Sequence, residues 1–231
     1  FLFFVTYFLL SFSDLFVLKN LAFDYKNLNY SLGYFEIFVS TLCILLLVNA
    51  LNLSDGINGL SILLITFWLL YIKYVLFKDI SYKGLSSLII LIIAFLHIFK
   101  GKFFLGDYGV TVAALVISLL AIASYNINQS TTKHIYVEEL FLLFFIPGLD
   151  MFRLFIYRII KKKDPFSADK NHLHHILIAK FDLKTTLLLY LVISVAPLLL
   201  FKFFLLNTVV LITTCIVVYF LVLNISIKKY F

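Results

Sequence analysis

The chain has 231 residues, 63% of them hydrophobic and only 13% charged, with a net charge of +7 and a mean hydropathy of +1.08. No water-facing core could hide that much apolar surface, so a water-soluble globular domain is excluded and lipid is the expected solvent. Cys43 and Cys215 both lie inside apolar runs, which excludes a disulfide framework and a cysteine-based metal site.

A helix needs roughly 20 apolar residues to cross a hydrocarbon layer about 30 Å thick. In chain order such runs occupy residues 1–18, 35–53, 59–77, 84–99, 108–125, 135–153, 185–205 and 207–227. They are continuously apolar rather than alternating, which predicts helices and not barrel strands. The expected fold is all-α: one polytopic integral membrane domain over 1–231 with about eight transmembrane helices. Within it, 154–184 is expected to be a cytoplasmic basic loop carrying histidines. Phe1 opens inside an apolar run with neither Met nor a basic segment, unlike a signal peptide, so the chain is expected to be the C-terminal portion of a longer one.

Cytoplasmic loops hold an excess of Lys and Arg. One set of alternate loops holds Lys100, Lys102, Arg153, Arg158, Lys161, Lys162, Lys163, Lys170, Lys180, Lys184, Lys228 and Lys229. The other holds Lys19, Lys26, Lys73, Lys78, Lys83, Lys133 and Lys202, which makes the first set cytoplasmic. The positive charge then serves topology, with anionic headgroups or an anionic substrate as partners, and no nucleic-acid role is assigned.

Polar groups at membrane depth point to function because burying them is costly. In NALNLSDGINGL (49–60), Asn49, Asn52, Asp55 and Asn58 recur every three residues and would form one polar stripe on a helix. Gly56 and Gly59 would allow a turn or the close approach of a ligand; polar capping of a helix end explains the segment equally well. In GKFFLGDYG (101–109), Asp107 is either the N-cap of a helix beginning near Tyr108 or an oxygen ligand for Mg²⁺.

The segment RIIKKKDPFSADKNHLHHIL (158–177) combines Arg158 and several lysines with His172, His174 and His175, a set able to neutralise a diphosphate. The lysines alone are explained by topology, and a zinc site ranks below phosphate binding because no second ligand cluster is evident. Asp150 and Arg153, three apart at a span end, read as an interfacial ion pair. His97 and His134 are lone residues and read as structural.

In this order, with spans between them, NALNLSDGINGL, FLGD and PFSADKNHLHH resemble the polyprenyl-phosphate N-acetylhexosamine-1-phosphate transferases. That family includes the enzymes that begin O-antigen and teichoic-acid linkage synthesis, with the phospho-muramoyl-pentapeptide translocase as a more distant relative. The resemblance covers about residues 35–177. It implies transfer of a sugar phosphate from a UDP-sugar to undecaprenyl phosphate, a polyprenyl phosphate, at the cytoplasmic face of the bacterial inner membrane, with release of UMP. It also implies Mg²⁺ as cofactor, with Mn²⁺ as a substitute. By the same likeness Asp107 binds the metal, Asn52 and Asp55 line the catalytic cleft, and Gly56 to Asn58 approach the uridine. His172, His174 and His175 form the histidine motif, and Arg158 with Asp169 grips the diphosphate. The run DPFSADKNHLHH is closer to the branch using UDP-N-acetylglucosamine.

Three positions depart from the family. No adjacent Asp–Asp pair occurs in this chain, Tyr108 follows FLGD where a small residue is common, and Asn58 stands where an Asp is frequent. The alternatives are a non-catalytic nucleotide-sugar-binding membrane protein and, with no internal repeat in its favour, a transporter.

Overall fold

The computed structural model describes residues 2–24, 27–76, 105–129, 135–165, 170–204 and 207–227. The predicted span at 84–99, His97, His134 and Asp169 lie outside the described residues. The first expected span is cut short: helix α1 (Leu2–Leu10) stops where Ser11, Ser13 and Asp14 interrupt the apolar run. A single 3₁₀ turn, Asp14–Phe16, leads into an antiparallel hairpin, β1 (Asn20–Phe23) and β2 (Leu28–Ser31). The all-α expectation is corrected there. Asn27 takes φ +50 in the hairpin turn, a conformation Asn tolerates because its short side chain bonds locally.

Helix α2 (Glu36–Ser54) then runs the length of the molecule, followed by α3 (Leu60–Tyr71), which continues as a π-helical turn over Ile72–Leu76. Helix α4 (Gly106–Gln129) packs along α2, burying Val110, Ala114, Ile117 and Ala121 against it. After it come α5 (Val137–Leu143), α6 (Phe145–Ile160), the short α7 (Leu173–Ile178), α8 (Leu183–Phe204) and α9 (Thr208–Ile227). The predicted loop at 154–184 is therefore partly helical, since α6 continues to Ile160.

Among the described residues three helices are long and apolar enough to cross a membrane, and four if the bent pair α5–α6 is one span. The protein is thus a largely helical chain suited to a bilayer. Helices at Leu60–Tyr74 and Thr208–Asn224 are apolar but shorter.

The hairpin end is fastened by side chains that pair its backbone. Ser40 Oγ accepts from the Leu18 N–H at 2.8 Å, and Tyr125 OH accepts from Ala22 N–H at 2.7 Å while donating to the Asn20 carbonyl. Glu138 accepts from the Asp24 N–H. Beside it, the buried Glu139 receives Tyr71 OH at 2.6 Å and Lys202 Nζ at 2.9 Å, so its charge is paired where no water offsets it.

Helices α5 and α6 meet at a 73° bend. Pro147 has no N–H to return to the carbonyl of Leu143 four residues earlier, and at this depth that oxygen needs a donor. The indole N–H of Trp68, fully buried on α3, supplies it at 3.0 Å. Trp68→Phe is expected to lower unfolding stability in detergent by about 1–3 kcal/mol. In a double-mutant cycle, Pro147→Ala reduces that loss by restoring a local N–H. Strictly additive effects would rule this explanation of the bend out.

Candidate functional site

The polar motifs meet at the end of the bundle opposite the hairpin. The stripe expected from residue spacing is only half helical: Asn49 and Asn52 lie on α2, which stops at Ser54. Asp55 is the C-cap, and residues 56–59 form a turn into α3. The two glycines divide the work. Gly59 takes φ +87, which an L side chain resists, and reverses the chain. Gly56 provides close approach: a Cβ there would collide with Nε2 of His174 and lie 2.8 Å from Nε2 of His175.

Asp55 accepts a short hydrogen bond from Ser61 Oγ, which ties the turn to the first turn of α3. Asn52 donates Nδ2–H to Thr111 Oγ1 at 3.4 Å, while its Oδ1 is buried with no hydrogen-bond partner among the described residues. Asn58 is half-buried in the same turn.

Asp107 lies in the first turn of α4, which begins at Gly106 with φ +63. The carboxylate sits exposed in the first helical turn, where the helix dipole favours a negative charge. Thr111, the partner of Asn52, lies one turn further along α4 on the same face. The first two motifs are thereby brought together. Among the described residues no group of three or more His, Cys, Asp or Glu side chains surrounds a common point.

The histidine loop is anchored at both ends. Helix α6 closes with Lys162 at φ +55 and a Lys163 N–H bond to the Arg158 carbonyl, a left-handed helix stop. Arg158 is buried and donates Nη1–H to the Pro165 carbonyl at 2.9 Å, holding the base of the loop. At the far end His172 precedes α7, with its Nδ1 2.8 Å from Asp150 Oδ2. The rings of His172 and His174 stack with centroids 5.5 Å apart, and His175 follows at 4.2 Å from His174.

Asp150, assigned above to a simple ion pair with Arg153, is 3% exposed and gathers more than that: the Arg153 guanidinium, Tyr219 OH, His172 Nδ1 and the Leu173 N–H. Nothing in the sequence near Tyr219 marks it as a partner, because it arrives from α9, 69 residues away.

His174 is 1% exposed, and neither ring nitrogen has a partner among the described residues. Burial, reinforced by His175 and His172, depresses its pKa from 6.5 to about 3, so it is neutral at physiological pH. Between those values the unfolded chain binds a proton that the folded chain refuses, so His174 contributes stability that is lost as pH falls from 6.5 towards 3. The thermal midpoint in detergent is expected to drop on acidification through this window, with a flatter profile for His174→Gln. A profile unchanged by that substitution would disprove the assignment. Gly56→Ala, forced against both rings, is expected to lose about 1–3 kcal/mol of stability in the same assay.

Comparison with known proteins adds the ancestry. Glycosyl transferase family 4 matches residues 1–125, which include NALNLSDGINGL and FLGD but end before the histidine loop. Among curated proteins, the undecaprenyl-phosphate alpha-N-acetylglucosaminyl 1-phosphate transferase of Escherichia coli K12 is 27% identical over 173 residues, covering 69% of this chain and 45% of the relative. A probable undecaprenyl-phosphate N-acetylglucosaminyl 1-phosphate transferase of Bacillus subtilis is 28% identical over 155 residues, covering 65% and 42%. The Thermotoga maritima undecaprenyl-phosphate alpha-N-acetylglucosaminyl 1-phosphate transferase is 32% identical over 145 residues, covering 62% and 43%. The chain spans about half the length of the curated relatives it matches. No solved structure matches. With more than half of its residues matched by the family, and with that family's motifs folded into one polar end, the chain belongs to glycosyl transferase family 4.

Proposed function

We propose that the chain moves an N-acetylhexosamine-1-phosphate from a UDP-sugar to undecaprenyl phosphate, at the cytoplasmic face of the bacterial inner membrane, and so starts a cell-envelope polysaccharide on its lipid carrier. The observation that carries this reading is the convergence of three separate motifs: Asn52 on Thr111 beside Asp107, Gly56 on His174 and His175, and Asp150 on His172. In this reading the larger set of cations lies on the cytoplasmic side.

In the reaction, an oxygen of the lipid phosphate attacks the phosphorus bearing the sugar. A new P–O bond forms, the bridging P–O bond breaks, and UMP departs with the bridging oxygen and its electron pair. Such a transfer needs alignment and charge stabilisation more than covalent help from the protein. Mg²⁺, or Mn²⁺ in its place, fits the donor set: Asp107 offers an exposed carboxylate, and Asn52 a buried amide oxygen lacking a partner among the described residues. When bound, such an ion withdraws charge from diphosphate oxygens.

Asp55 and Asn58 hold the turn that presents Gly56, and the absent side chain of Gly56 lets the histidines close over the donor. His172 and His175 offer ring nitrogens to the departing phosphate, with neutral His174 between them. Arg158 fixes the root of the loop. For the lipid tail, an apolar cavity of about 410 Å³ runs between α2, α4 and the α5–α6 bend. Its lining extends from Leu18 and, on β1, Leu21 to Ala50 and Met151, which lie close to Asn52 and Asp150 in sequence. A polyprenyl chain lying there would meet the reacting phosphate at the polar end.

Membranes carrying the full chain, supplied with UDP-N-acetylglucosamine, undecaprenyl phosphate and Mg²⁺, are expected to release UMP, and Asp107→Asn to reduce the rate by roughly 100-fold or more. Binding of the UDP-sugar with no UMP released by the unsubstituted chain would instead favour the non-catalytic alternative.

A further inference from the structure

Helix α7, which carries two of the three histidines, is only six residues long. What orients the first of the three, His172, is a carboxylate from a different helix. Asp150 sits nearly three turns before the end of α6, and the groups that touch it are donors or a histidine nitrogen. Oδ1 receives Arg153 Nη2 at 2.9 Å, Tyr219 OH and the Leu173 N–H at 3.2 Å; Oδ2 receives the same N–H at 3.2 Å and faces His172 Nδ1 at 2.8 Å. Arg153 is itself held by Tyr219 OH, to which it donates Nε–H at 2.8 Å, and by the carbonyl of Asn171.

From this cluster we infer that Asp150 is the positioning residue of the transferase site: it fixes His172 in the tautomer with its proton on Nδ1, leaving the lone pair of Nε2 to accept the proton of a protonated phosphate oxygen. The inference rests on the transferase reading for its purpose, though not for its geometry. An ionised carboxylate only accepts, so the nitrogen 2.8 Å away must carry the hydrogen. The same carboxylate caps the start of α7 through the Leu173 N–H, so ring orientation and loop position are set by one group. Arg153 and Tyr219 act behind it. They keep the carboxylate charged, and they prevent it from rotating because both crowd Oδ1.

This arrangement makes an asymmetric prediction for Asp150→Asn. The amide must point its oxygen at Oδ1's partners, since a guanidinium cannot accept a hydrogen bond. Its NH₂ therefore faces His172 Nδ1, which can pair with it only by giving up its hydrogen. The proton moves to Nε2, and the ring presents a donor where it had presented an acceptor, as when the orienting carboxylate of a catalytic histidine is made an amide.

The test is ¹⁵N spectroscopy of histidine-labelled full chain in detergent at alkaline pH, with His172 assigned through His172→Gln. The unsubstituted chain is expected to carry its ring proton on Nδ1 and Asp150→Asn on Nε2, with UMP release reduced about 10- to 100-fold in the variant. A proton on Nε2 in the unsubstituted chain, or one that stays on Nδ1 in the variant, overturns the inference. If the variant fails to fold, the unsubstituted spectrum alone decides. The tautomer switch without UMP release from either protein leaves the positioning role standing and removes the transferase reading. UMP release from a chain whose His172 proton is on Nε2 does the reverse.

Discussion

A carboxylate buried at the edge of a bilayer must be paired or it will not stay ionised, and Asp150 is paired from four directions. The desolvation of such a group is several kcal/mol, more than any single exposed ion pair returns. The four donors come from α6, the loop, the start of α7 and α9, so satisfying one charge ties together four separate segments. The histidines then have a fixed address. Their rings reach the turn between α2 and α3, where Gly56 leaves backbone with no side chain in their way. The polar end is thus assembled by electrostatic satisfaction, with apolar packing supplying the scaffold beneath it.

The same demand, made of backbone groups, shapes the rest of the bundle. A carbonyl stranded by Pro147 finds the indole of Trp68, and the hairpin's inner backbone finds Ser40, Tyr125 and Glu138. Because α5 turns away from α6 at the bend, the two helices do not close against α2 and α4 along their whole length, and the apolar cavity lies between them. One missing N–H therefore has a consequence at the scale of a ligand: the kink that would weaken a straight span opens room for a chain molecule.

Much of this could be read from the sequence where residue type and spacing act locally. Continuous apolar runs mark the helices, since lipid leaves few alternatives, and Asp55, Asp107 and the histidines stand out as polar groups in apolar surroundings. What could not be read is decided at long range. Asp150 and Arg153 look like a self-sufficient pair because they are three residues apart, yet the third and fourth partners are His172 and Tyr219. The hairpin escaped because its strands are four residues long and set in a loop. The stripe from Asn49 to Asn58 was drawn as a helix by its spacing alone, and Gly56 and Gly59 break it, each for a different steric reason. Helix α1 ends early because Ser11, Ser13 and Asp14 lie too close together for a run of apolar contacts to carry the helix past them.

His174 separates a structural role from a functional one by magnitude. A buried polar atom left unpaired costs about 1–3 kcal/mol, and this ring has two. A side chain kept only to fill space between His172, His175 and Gly56 would be better apolar, because an aliphatic group of similar volume carries no such penalty. Its neutrality also follows from its neighbours, since a proton placed there would face two other imidazoles in a site short of water. The ring is therefore a hydrogen-bonding group held uncharged between two histidines and pressed against a backbone with no side chain. That combination suits contact with a polar ligand entering over Gly56, whereas the buried rings of Trp68 and Tyr125 have their polar atoms bonded.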